Sequence, residues 1–400
     1  MTAQPIRTDI TIVGGNMVGA ALSLALSNSP LNVTLIEQNP IPSLPDSDTH
    51  FDIRASALIP AAVQFLKYLD AWDHIPASRK QAFPKMTIWE QQLSNAFHFE
   101  SPDAEPLGYI VENNLMQYAL WQVLKHKSVQ CIQTKWRYVE QTDDYVILTL
   151  DNGQIIHTKL LIGADGPRSN IRKAAGISAS IHSYQQTCIV GSVRTQHTHQ
   201  NTCWQRYRDG LACAFLPLNE QYSSVAWYVH SDEFNALMSK DTQAQAKQLT
   251  VDSGNMLGDI EIHQPLQGFP ITNLKVDRWF NHRIVLAGDA AHVIHPMAGQ
   301  GVNLGYLDAA VLAESLLDAG PHFDHPNALK RYQMRRAETH IMQSAMDAVN
   351  TLFQPAPEWI SQLRAQALVK SNRFPFVNKY LSLYAKGGLR DLPRSMQAAP

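Results

Sequence analysis

Three groups of residues in this chain have the types and spacing to hold a phosphate or a polarised carbonyl. The first is Gly14, Gly15, Asn16, Met17, Val18 and Gly19, set between the apolar run "ITIV" and the small, apolar run "MVGAALSLALSNS". Gly14 and Gly15 allow a tight turn and close backbone approach, and Gly19 lets a helix lie against a strand. The helix start beyond them offers unpaired N–H groups and the positive end of a dipole, which suits a pyrophosphate. Glu37, followed by Gln38, ends the next apolar run roughly 20 residues on, where a carboxylate accepts hydrogen bonds from a ribose. Asn16 stands where the usual G-x-G-x-x-G pattern has its second glycine. A left-handed backbone is expected there, because Asn enters that region more readily than most side chains. Its amide would then be placed to donate to the phosphate.

The second group is "LLIGADGPRSNIR". A strand runs into Ala164, Asp165 and Gly166, with Arg168 and Ser169 at a helix start. The third is "RIVLAGDAAHVIHPMAGQGVNLGY". Gly288 and Asp289 follow a strand, and Gly299, Gln300, Gly301, Val302 and Asn303 open a helix. That helix start is another place for an anion or a polarised carbonyl. Each group alone is weak evidence, with an ordinary glycine-rich turn as the other reading.

These residues need elements to carry them. Residues 9–38 read as one βαβ unit, and the Pro- and Asp-rich stretch 39–51 reads as loop. Helical patterns are expected at 54–70 and 113–127, and a hairpin at 145–165 turning on Asp151, Asn152 and Gly153. From 183 to 230 the runs alternate and are rich in aromatics, which predicts an inserted antiparallel sheet. A strand at 283–288 precedes a helix to 319, and 326–394 is mostly helical.

Bulk composition removes several classes. The net charge of -2, without a basic run, gives no field for nucleic acid. Four cysteines without C-x-x-C spacing fit neither a zinc site nor a disulfide framework, and suit a reducing cytoplasm. No signal peptide is expected, and no apolar run reaches the ~18–20 residues a membrane span needs. There is no G-x-S-x-G, no H-E-x-x-H and no close carboxylate pair. "QHTHQ" at 196–200 is expected to be a solvated turn. His292 and His295 are expected to be structural or to lie beside a cofactor, and no metal site is expected.

The three groups, in this order, resemble the class A flavoprotein monooxygenases. "GGNMVGAALSLAL", "GYIVENNLMQYALWQ", "GDAAHVIHPMAGQGVNLGY" and "LKRYQMRRAETHIMQSAMD" are similar to the ubiquinone-biosynthesis hydroxylases. Within them, "TCWQRYRDGLACAFLPL" and "KRYQMRR…IMQSAMD" most resemble the hydroxylases that act on the demethoxy-quinol intermediate at C6. The resemblance implies an α/β, Rossmann-like FAD-binding domain with an inserted antiparallel substrate sheet. Residues 1–75, 107–180 and 275–325 would form the FAD-binding domain, 76–106 and 181–274 the substrate domain, and 326–400 a helical C-terminal region. It implies FAD in the first site, with NAD(P)H as transient reductant and O2 as co-substrate, acting through a flavin C4a-hydroperoxide. Asp289 would bind the ribityl or pyrophosphate region, and Gly299–Asn303 would face the pyrimidine end of the flavin. Ala164, Asp165 and Gly166 would serve both FAD and the nicotinamide.

"FDIRASAL" puts Arg54 where the family has a flavin-contacting arginine. Asn113 and Gln117 fall near a polar cofactor contact, and Asn113 is equally a helix N-cap. Phe215, Pro217, Trp227, Tyr228 and Pro296 are candidates for the substrate pocket, although alternating aromatics also build cores. A polyprenylated quinol or phenol is the expected substrate. In the C-terminal region, Trp359, Phe374, Phe376, Tyr380, Leu381 and Leu383 alternate with Arg364, Lys370, Arg373, Lys379 and Lys386. That mixture suits packing on this chain or on another quinone-biosynthesis protein, and it also suits peripheral contact with the inner face of a membrane. The alternatives are a hydroxylase of another ring position or another phenol, and an FAD-holding scaffold subunit without turnover.

Overall fold

In the computed structural model, residues 4–90, 92–101, 105–296, 299–371 and 392–397 are described. The opening βαβ unit forms as its pattern dictates. The strand Ile6–Val13 leads through the glycine turn into the helix Met17–Leu26 and on to the strand Val33–Glu37, buried at all five positions. These strands sit inside an eight-stranded sheet. Its parallel part runs in the order Ile284–Leu286, Ile155–Gly163, Ile6–Val13, Val33–Glu37, Gln130–Gln133. The expected hairpin is present as Val146–Leu150 paired with Ile155–Gly163, and Gly153 takes a positive φ of 82°.

The second sheet has nine strands, antiparallel but for one pair. Its centre is Ala179–Thr195, Tyr222–His230, Leu211–Pro217 and Thr202–Arg208, as the alternation predicts. It also recruits Lys85–Trp89 and Phe97–Glu100 at one side, and His292–Val293 at the other. The last pair lies inside the third motif, so that motif is fastened to both sheets. One face of the sheet packs beneath the helices Phe234–Met238 and Thr242–Asp252, around Ile189, Phe215, Trp227 and Leu249. The other face gathers Cys188, Tyr207, Tyr228, Ile271 and Phe353.

The helix expected over 54–70 is in fact a short strand, Ala55–Leu58, followed by a helix, Pro60–Tyr68. Pro60 is the cause. It holds Ile59 extended, at φ -72° and ψ 157°, and itself supplies the first helical position. The C-terminal helices Lys330–Leu352 and Glu358–Ser371 follow the pattern, whereas Phe374, Phe376, Tyr380, Leu381, Leu383, Arg373, Lys379 and Lys386 lie outside the described residues.

Candidate functional site

Strand register brings the three glycine groups to one edge. Val13 is paired with Gly163 on one side and Ile36 on the other, and Gly163 with Leu286. The residues that follow these strand ends emerge at the carboxyl edge of the parallel sheet, where open α/β sheets bind ligands. The turns also touch. Gly14 has φ 104°, and a Cβ there would lie 2.3 Å from the Ala164 carbonyl oxygen. Gly288 has φ 61° and backs onto Val18, 3.1 Å from where its Cβ would be. A Cβ on Gly19 would fall 1.8 Å from the Gly14 carbonyl oxygen, so helix and turn are locked together without side chains.

Other segments hold this arrangement in place. The Gly15 N–H donates to Glu37 Oε2 at 2.5 Å, and the Gly15 carbonyl accepts from Trp121 Nε1 at 2.7 Å and Gln117 Nε2 at 3.2 Å. Trp121 lies within "GYIVENNLMQYALWQ" but is not among the expected site residues; it stands four residues beyond Gln117 on the same helix face. Asn303 Nδ2 donates to the Ala57 carbonyl at 2.9 Å, and its Oδ1 accepts from the Ile59 N–H at 3.1 Å. The start of the helix Gly301–Ala319 is thereby tied to the strand that follows Arg54.

The FAD binding domain family matches this chain over residues 7–347. The chain belongs to that FAD-binding family. A relative in Escherichia coli, 3-demethoxyubiquinol 3-hydroxylase, is 35% identical over 397 residues, which cover 97% of this chain and 100% of the relative. Ubiquinone hydroxylase UbiL of Rhodospirillum rubrum is 29% identical, over 98% of this chain and 93% of its own. The fold is shared with p-nitrophenol 4-monooxygenase PnpA of Pseudomonas putida, with a TM-score of 0.76 at 19% identity, covering 95% of this chain and 98% of that one. The cofactor is therefore FAD.

The residues present fit FAD. The helix start at Asn16 is exposed. At Gly301 an added Cβ would meet nothing within 4 Å, so the second helix start also opens onto free space. Glu37 gives one lone pair on each oxygen to the backbone, at Gly15 and at Asn39 (2.7 Å), and retains others for ribose hydroxyls. The Asp289 side chain is exposed to solvent on one side. Protein surrounds it otherwise, and this burial raises its carboxyl above the ordinary range, while His292 and Arg54 pull the other way. Arg54 is exposed, with its guanidinium over the Phe269 ring at 4.4 Å. A buried ion pair, Arg79 to Glu112 at 2.7 Å, braces that loop, because Glu112 Oε1 also accepts from the Asp52 N–H at 2.6 Å.

Several expectations need correction. Asn16 is not left-handed. It lies at φ -73° and ψ -172°, and its Oδ1 accepts from the Met17 N–H at 2.7 Å, so it caps the helix. Asn113 is the first residue of its helix and not the cap, which is Glu112. Its Oδ1 accepts from Ser56 Oγ at 2.7 Å. The Asp165 carboxylate serves its own turn, accepting from Ser169 Oγ and from the N–H groups of Asn170 and Ile171. Pro296 accepts from the Gly299 N–H through its carbonyl, at 2.8 Å.

Phe215 and Trp227 do not face the cleft. They sit under the helices on the far face of the second sheet, and Trp227 Nε1 donates to Asp252 there at 3.0 Å. Pro217 shares their strand parity, two residues from Phe215. Tyr228 lies on the other face and stacks on His295, with ring centroids 5.7 Å apart. His199, expected in a solvated turn, is buried. Its Nδ1 accepts from the Asn201 N–H at 3.0 Å, and burial lowers its pKa to about 4.

His292 and His295 are both buried. His292 Nε2 is 2.6 Å from Asp308 Oδ2, which also accepts from the Gly288 N–H at 3.2 Å. Arg335 adds a contact to the other Asp308 oxygen at 3.4 Å. This buried carboxylate thus ties the turn carrying Asp289 to two helices. His295 is fully buried, edge-on to Tyr184 at 4.6 Å, and burial lowers its pKa to about 4. Tyr184 in turn donates to Asp347 of the helix Lys330–Leu352.

Proposed function

We propose that this chain hydroxylates the ring of a polyprenylated quinol in ubiquinone biosynthesis, with NAD(P)H and O2, at the carbon that lacks its methoxy group. The observation that carries this reading is the end-to-end similarity to the Escherichia coli hydroxylase, in a chain whose three motifs meet on one edge of the sheet. Bound FAD supplies the activated oxygen that no side chain can. The share of this chain is to bind, orient and keep the site dry.

The helix starts at Asn16 and Gly301, with Glu37 and Asp289, hold the cofactor. Arg54 sets a fixed cation beside it, and Asp308 keeps the Gly288–Asp289 turn aimed. The quinol would lie on the side of the second sheet that carries Tyr228, opposite the face of Phe215, Pro217 and Trp227. A cavity of about 580 Å³ between the 42–53 loop and Gly191, Gln264 and Gln267 gives a path for the substrate. No described helix is long and apolar enough to cross a membrane. Exposed Met334, Ile341, Leu352, Trp359 and Leu363 support peripheral contact with the bilayer that stores the substrate.

Mass spectrometry of quinones from cells lacking this protein tests the reading. A demethoxylated intermediate should accumulate, and the wild-type chain should clear it while Asp289→Ala should not. An unchanged quinone profile would remove the proposed role.

A further inference from the structure

A second hollow, of about 380 Å³, shares no lining residue with the FAD cleft. It lies where the strands Ala179–Thr195 and Gln267–Val276 meet the helix Lys330–Leu352. Ser178 and Ser180 line one side, Lys275 and Asp277 another, and Arg336 and His340 project from the helix. Arg336 and His340 are four residues apart and so neighbours on one helix face.

The positive charge here is poorly matched by the protein. Arg336 spends its Nε on the Val276 carbonyl at 3.2 Å, and its two terminal nitrogens have no hydrogen-bond partner among the described residues. The His340 ring has none among them either. Lys275 is 3.6 Å from Asp347, and Asp277 is already engaged by Arg278 at 3.3 Å. After burial, the influences that hold His340 below the ordinary imidazole range come from Arg336, Lys275 and His292. Like charges gathered this closely repel unless an anion joins them.

We propose that this hollow binds the phosphate or diphosphate of a small molecule. The forked guanidinium end, an ammonium point charge, an imidazole and two hydroxyl-bearing serines form the donor set for phosphate oxygens. The volume accommodates a diphosphate with part of an attached group. Lys275 links the hollow to the FAD side, because its partner Asp347 accepts from Tyr184, which packs on His295. An anion that draws Lys275 away would loosen that contact.

Calorimetric titration of the FAD-loaded full chain tests this with inorganic diphosphate, inorganic phosphate, NADPH and NADH as separate probes. Saturable binding is expected, about tenfold weaker in Arg336→Gln, from the loss of charge-assisted hydrogen bonds. Ser180→Asp, an exposed position that places a carboxylate at the rim, should weaken binding similarly with flavin content unchanged. Sensitivity of NADPH, but not NADH, to these variants would assign the hollow to the nucleotide's extra phosphate. Sensitivity of the inorganic anions alone would assign it to free phosphate. Absence of saturation below about 10 mM, or equal affinity in the wild type and both variants, would overturn the proposal.

Discussion

Asp289 works against its surroundings. Burial favours its neutral form, whereas the proposed FAD contact uses it as a hydrogen-bond acceptor. Because its pKa is raised on folding, ionisation costs stability, and the cost appears as pH rises through and above the ordinary carboxylate range. Asp289→Asn should therefore stabilise the FAD-free protein at neutral pH and not in acid, as thermal denaturation at two pH values would show. Asp289→Ala should weaken FAD binding by roughly 10- to 150-fold, the worth of one hydrogen bond to a charged group, seen as loss of flavin absorbance on purification. Asn16 gives a second test. As an extended N-cap it should tolerate Gly at a cost of a few tenths of a kcal/mol, whereas Ala should cost about 1 kcal/mol, measured by denaturant midpoints. The role of Gly19 is legible in sequence because its close contact, the Gly14 carbonyl, lies in its own turn, whereas Gly14 packs on Ala164 and Glu37 holds Gly15 across the fold. The conformation of Asn16 is not legible, because an empty second-glycine position suggests a left-handed residue when only a small or polar one is needed.

At the scale of elements, the aromatic seam between the second sheet and the helix Lys330–Leu352 should respond to pH. His295 is held neutral by burial, with its pKa lowered from 6.5 to about 4. A histidine shifted down binds protons more readily when unfolded, so stability is lost as pH falls from the ordinary imidazole range through the lowered value. The loss is on the order of 3 kcal/mol at full extent, and buried His199 acts in the same direction. His295→Phe should flatten this part of the stability–pH curve, while a curve unchanged from wild type would place the sensitivity elsewhere. Alternation along 183–230 reveals the strands but not which face meets the cleft. Period two sorts Phe215 and Trp227 from Tyr228 without saying which side helices will cover. Pro60 is the legible sign of the strand-to-helix break at Ile59, and the longer helical pattern around it hides that sign.

For the whole molecule, the three motifs suggest convergence, but spacing along the chain does not fix it. Residues 14, 164 and 288 are far apart in the chain, and only the parallel register of Val13, Gly163 and Leu286 sets their turns side by side. The supports beyond the three glycine groups, Trp121, Asp308 with Arg335, and Tyr184 with Asp347, are not legible as supports in the sequence because each pairs one residue with a distant one. Turnover with isotopically heavy O2, NAD(P)H and a demethoxylated quinol tests the assembled site most directly. One heavy oxygen atom on the product ring, with reductant consumption stimulated by the quinol, is the expected result. Product without heavy oxygen, or reductant consumption indifferent to the quinol in FAD-loaded protein, would contradict ring hydroxylation and leave a cofactor-holding scaffold.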